Sequence, residues 1–218
     1  MVRKILLSNV GGLENVGIVM MIQALVSNVD AEFYVHHFTV CRDYQKFGLK
    51  YTWKTCGFDV ALDLGGDTFT LYYGLRQFLR HCSHLMIHVL FHQKFILFAQ
   101  TFSPYGRLTK KLALFFFKRS CLITVREQRS LDLLNSLEIP CFLTADVAFL
   151  LDFWDAGDYY GDGYHRIIAA KLSGYLGVWD GSRAENFKFD IFKERLDLKI
   201  MKEKAGLNLD LLQRIFID

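Results

Sequence analysis

The chain has 218 residues, 52% of them hydrophobic, with 26 Lys and Arg against 23 Asp and Glu for a net charge of +3. That length fits one large domain, or one domain with a fragment of another, and the apolar content excludes a disordered chain. Basic and acidic residues are interspersed, which argues against nucleic acid as a partner. Phe occurs 20 times and Pro twice, a pairing that suits regular buried elements. Cys41, Cys56, Cys82, Cys121 and Cys141 are scattered and form no C-x-x-C pair. Structural zinc and a disulfide framework are therefore not expected, and buried reduced thiols in a cytoplasmic protein are. Ile5, Leu6 and Leu7 make too short an apolar run for a signal peptide. The stretch from Leu85 to Phe102 is broken by His88, His92, Gln93 and Lys94, so it reads as buried helix and strand with no transmembrane segment.

In chain order, Arg3 to Leu7 is a short apolar run closed by Ser8, Asn9, Gly11 and Gly12, the pattern of a buried first strand and its turn. From Asn15, apolar Ile18, Met21, Ile22 and Leu25 recur at helical spacing, and Ala31 to Phe38 reads as strand. A compact strand from Asp59 to Leu64 stops at Gly65-Gly66-Asp67, and Asp67 or Thr68 is expected to cap a helix running to about Cys82. A second helical stretch continues to about Phe91. Strands at Lys94 to Ala99, Cys121 to Val125 and Cys141 to Thr144 then alternate with helices at Leu108 to Lys118 and Glu127 to Leu137.

Continuously apolar strands joined by helical crossovers predict a parallel sheet covered on both faces. The expected fold class is α/β, a doubly wound, mostly parallel, Rossmann-like sheet. Residues 1–152 are expected to form this N-terminal domain, 153–165 a Gly- and Asp-rich linker, and 166–218 a partial second domain or a C-terminal helical extension.

Several short motifs, in order, carry a resemblance. They are Asn15-Val-Gly17, Asp63-Leu-Gly-Gly-Asp67, Gln100-Thr-Phe-Ser-Pro104, Ile123-Thr-Val-Arg-Glu127 with Ser130, and Ala145-Asp146-Val-Ala-Phe149. Together, over about residues 8 to 150, they resemble the polysaccharide pyruvyl transferase family. Members of that family resemble GT-B glycosyltransferases, with two Rossmann-like halves facing a cleft. The resemblance implies transfer of a pyruvyl group from phosphoenolpyruvate to hydroxyls of a sugar or polysaccharide acceptor, without a cofactor, in surface polysaccharide synthesis. The sequence departs from the family at Ile18 and Val19, where acidic residues are common, and at Ser103, where glycine is usual. The family's catalytic histidine follows a proline in its second half, and His165 has no such context.

Phosphoenolpyruvate presents a carboxylate and a phosphate. Arginine suits the carboxylate because its planar fork bonds both oxygens. Arg126 follows a strand and precedes a helix, which places it at the carboxyl edge of the sheet, where open α/β folds bind ligands. The structural alternative is an ion pair with Glu127 or a helix end. Gly65 and Gly66 admit close backbone approach to a ligand, or simply make a turn. Asp67 would bind sugar hydroxyls or cap its helix. Gln100, Ser103 and Asn15 are candidates for the same edge, with local turn hydrogen bonding as the alternative, and Glu127 is a further substrate-binding candidate beside Arg126. Asp146 reads as a cleft residue or a satisfied turn aspartate.

His81, His84, His88 and His92 fall three, four and four residues apart, one stripe of a continuous helix. Without a completing carboxylate or thiol, this reads as the polar edge of a sheet-packing helix rather than a metal site. The aspartates at 152, 155, 158 and 162 lack the spacing of a calcium loop. Three functions follow: a pyruvyl transferase-like enzyme, a non-catalytic relic or oligomerising binding module, and half of a GT-B glycosyltransferase using a nucleotide sugar. The first calls for a partner chain or a further segment to supply the second domain.

Overall fold

Short apolar runs separated by glycine and polar turns become strands here because both faces of each run find helices to bury against. The computed structural model describes residues 2–10, 16–36, 43–64, 66, 69–150, 203–207 and 209–215. The strands are β1 (Arg3–Ser8), β2 (Ala31–His36), β3 (Lys50–Thr52), β4 (Val60–Asp63), β5 (Phe95–Gln100), β6 (Leu122–Val125) and β7 (Phe142–Leu143). The helices between them are α1 (Val16–Asn28), α2 (Gly74–Leu90), α3 (Arg107–Phe117) and α4 (Gln128–Ser136). All seven strands lie parallel in the order β3-β2-β1-β4-β5-β6-β7. The fold is thus the expected α/β, Rossmann-like one, and β1 and β4 flank the point where strand order reverses.

Two apolar layers sandwich the sheet. On one face Ile5, Leu7, Leu62, Ile96 and Phe98 pack with α1 and with Ala205, Leu209 and Leu212 of the helical residues 203–207 and 209–215. On the other, Leu6, Ala61, Leu97 and Ile123 pack beneath α2, α3 and α4. Every residue of β4 and β5 is buried, so these strands show no alternating pattern in sequence. Phe69 sits at the centre of an aromatic group, 5.3 Å from Phe78, 5.6 Å from Phe117 and 6.1 Å from Phe102 by ring centroid. It joins the turn after β4 to α2, α3 and the loop after β5.

The structure corrects several local expectations. Strand β3 and a 3-10 turn at Asp43–Phe47 were not foreseen, because three residues carry no readable period. The two helical stretches after β4 are one helix, α2, which begins at Gly74 behind Tyr73 without a side-chain cap. Asp67 and Thr68, the expected caps, lie outside the described residues. Only Cys82 of the described cysteines is fully buried, its thiol pushed up to about 12 by desolvation, whereas Cys56 and Cys121 are exposed. The aspartate-rich linker lies outside the described residues.

The histidine stripe divides. His81 and His88 are buried against the sheet, His84 is half-buried, and His92 lies beyond the helix with φ 50°. Among the described residues no three His, Cys, Asp or Glu side chains gather to hold a metal. His88 stacks on Phe95, its Nδ1 has no partner among the described residues, and burial pushes its pKa down to about 4. His36 and His84 are lowered too, first by burial. A histidine held below its unfolded value contributes stability that is complete above about pH 6.5 and lost as pH falls toward 4. For His88 that loss is about 3 kcal/mol. His88→Leu is expected to leave stability at pH 7 unchanged or raised, and to flatten the fall in melting temperature between pH 6.5 and 4.

Candidate active site

The carboxyl ends of β4, β5 and β6 converge on Arg126, the first residue after β6. Its backbone N–H donates to the Gln100 carbonyl at 3.3 Å, which ties it to the end of β5. Its side chain is braced on several sides. Nε donates to Thr101 Oγ1 at 2.8 Å and Nη1 to Asp146 Oδ2 at 3.5 Å, while Glu127 Oε1 stands 3.9 Å from Nε. Thr101 Oγ1 in turn donates to Glu127 Oε1 at 3.0 Å. The guanidinium-bearing side chain keeps 18% of its surface exposed, so the fork is oriented yet reachable.

Gly66 forms the opposite wall. Its carbonyl accepts from the Thr101 N–H at 2.7 Å, and a Cβ built on it would stand 3.8 Å from Arg126 Nη2. That is ordinary contact, so space is not what excludes a side chain. The φ of +63° is, because an L residue there costs about 1–2 kcal/mol. Gly66→Ala is expected to lower unfolding stability by about that amount while leaving the approach to Arg126 open, as urea unfolding and ligand titration of one sample would show.

Asp146 is wholly buried and does two things at once. Oδ1 accepts from the Ala148 N–H at 3.0 Å, closing the 3-10 turn Val147–Leu150, and Oδ2 faces Arg126. Gln100 is also fully buried. Its Nε2 donates to the Asp63 carbonyl at 2.7 Å, and its Oε1 has no hydrogen-bond partner among the described residues. Ser103 is buried and accepts from the Leu71 N–H at 3.2 Å, holding the segment before α2. Ser130 likewise accepts from the Phe102 N–H at 2.8 Å. Of the nominated residues, Arg126, Glu127, Asp146, Gly66 and Gln100 thus stand together, and Ser103 anchors the neighbouring loop. Asn15, Gly65 and Asp67 lie outside the described residues.

Sequence reasoning missed Thr101, although it stands within the Gln100–Pro104 motif. It also missed a buried chain at the strand-order reversal. There His81 Nε2–H donates to Asp63 Oδ2 at 2.6 Å, and Asn9 Nδ2 donates to His81 Nδ1 at 2.8 Å. Neither the Asp63 nor the His81 side chain has any exposed surface. Asn9, just past β1, takes φ 54°, a left-handed conformation that asparagine tolerates. A third feature left no trace in composition. Between Leu97 and Gln100 the β5–β6 register shifts, with Ala99 at φ 50° and its N–H donating to Thr124 Oγ1 at 2.8 Å. Phe98 and Ala99 consequently pack on the same face, and the displaced backbone sets Gln100 and Thr101 beside Arg126.

A family model described as polysaccharide pyruvyl transferase matches residues 21–209. The chain belongs to the polysaccharide pyruvyl transferase family. No curated protein and no solved structure matches it. The family match runs on past the last of the motifs, which end at Phe149, and takes in Ala205 and Leu209 of the α1-side core. Among the described residues, no helix is long and apolar enough to cross a membrane.

Proposed function

We propose that the Arg126 site binds the carboxylate of phosphoenolpyruvate, and that the protein takes part in transfer of its pyruvyl group to sugar hydroxyls. The observation that carries this is the held but accessible guanidinium at the carboxyl edge, braced by Thr101 and Asp146. Thr101 and Asp146 fix the plane of the fork, so a carboxylate meets two parallel N–H donors without first ordering a flexible side chain. Family membership supports the reaction class.

The test is calorimetric titration of phosphoenolpyruvate into the 218-residue chain and into Arg126→Ala. Binding by the parent that the substitution removes supports the reading. No heat at millimolar ligand from a folded parent would overturn it for this chain. A second reading has its own observation: Arg126 already faces Asp146 and Glu127, as a strut in a non-catalytic domain would. Parent and Arg126→Ala binding alike, with only the melting temperature altered, would favour that reading.

A further inference from the structure

The interspersed charge seen in the composition breaks down over one long stretch. From Thr68 to Arg126 there is no Asp or Glu, while nine Lys and Arg occur, so the rest of the chain is net acidic. The fold gathers much of this stretch on one face, because α2 and α3 pack side by side over the same layer of the sheet. Tyr105, just before α3, lies 5.7 Å from Phe78 of α2 by ring centroid, which brings the N-terminal ends of the two helices together.

What these ends present is unusual for a helix start. Neither helix has an acid in its first turn; Arg76, Arg107 and Lys110 are exposed within those turns, and Arg80 and Lys111 are exposed just beyond them. Cations at a helix N-terminus oppose the macrodipole, so local stability would select against them. None of the five is in an ion pair among the described residues. Among them stand exposed apolar and aromatic side chains: Tyr72 at 71% exposure, Leu75 at 54%, Leu79 at 48% and Leu108 at 80%. Leu75 and Leu79 stand four residues apart on one face of α2, and Tyr72 lies in the turn before it.

We propose that this face seats on an anionic membrane surface, the leucines and Tyr72 entering the headgroup boundary and the five cations meeting lipid phosphates. A surface that is cationic, free of acids and studded with leucine and tyrosine matches the two attractions that hold peripheral proteins on such membranes. The proposal does not depend on the phosphoenolpyruvate reading, since the patch lies on the helix layer and not on Arg126.

The experiment is co-sedimentation of the 218-residue chain with phosphatidylcholine vesicles and with mixed phosphatidylcholine–phosphatidylglycerol vesicles. The chain binds the mixed vesicles, leaves the neutral ones in solution, and dissociates as salt rises. Lys110→Gln with Lys111→Gln lowers the partition about thirtyfold, and Leu75→Ser with Leu79→Ser lowers it at constant charge. Lys46→Gln with Lys54→Gln, on the far side of β3, serves as the charge-matched control and leaves it unchanged. Circular dichroism confirms that each variant is folded. Equal binding to both vesicle types, no binding to either, or loss in the control alone overturns the proposal. So does a dimer in lipid-free solution that Leu75→Ser with Leu79→Ser dissociates, which would assign the face to a second copy of the chain.

Discussion

Asp63→Ala is expected to destabilise the protein by about 1–3 kcal/mol, the cost of leaving the buried His81 Nε2–H without its acceptor. His81 would keep its place under Phe69, with ring centroids 4.9 Å apart, but its Nε2–H would face an empty, solvent-free space. Asn9 would lose the fixed ring on which its amide rests. Asp63→Asn retains an oxygen for the Nε2–H and is expected to cost less than half as much. Removing both ends tells more: Asp63→Leu combined with His81→Phe leaves neither an orphan donor nor an orphan charge. It is expected to recover most of the loss. Urea unfolding of the three variants at constant slope measures this. A loss under about 1 kcal/mol for Asp63→Ala would show that water reaches the pair, contrary to its complete burial.

Arg126→Ala is expected to weaken phosphoenolpyruvate binding about 10- to 100-fold, the range for losing a charge-assisted, two-pronged contact. Arg126→Lys should fall between, since it keeps the charge and loses the fork. Thr101→Val tests orientation apart from charge. It removes the oxygen 2.8 Å from Nε while sparing the guanidinium, and a several-fold loss is expected. Because Asp146 is buried, Arg126→Ala also leaves a carboxylate short of a cation, so its melting temperature must be read beside its affinity. Adding Asp146→Asn removes that charge. If the double variant melts like the parent yet binds as weakly as Arg126→Ala, the affinity loss belongs to the site and not to damaged folding.

Much of this was legible in sequence, and the reasons differ residue by residue. Burial on both faces wrote β4 and β5 as unbroken apolar runs, and the turn residues after them marked where each strand stops. Arg126 could be placed because a strand-to-helix junction in a parallel sheet always falls on the carboxyl edge. Motif order carried the family, and the family match confirms it. Strand β3 stayed hidden because three residues show no period, and the start of α2 because a glycine after Tyr73 carries no capping signature.

What the sequence by itself determined, then, is the alternation of strand and helix, the parallel sheet that it implies, the family, and the edge of the sheet on which Arg126 stands. These follow from short-range pattern, in which each residue's burial is read from neighbours a few positions away. The tertiary structure alone decided who meets whom on that edge. Placing β1 beside β4 brings Asn9 against His81 across 72 positions of chain, and the register shift at Ala99 delivers Thr101 to Arg126 across 25. No local preference encodes such pairs, because strand order and register are settled by packing the whole sheet at once, and only then does a buried histidine find its carboxylate.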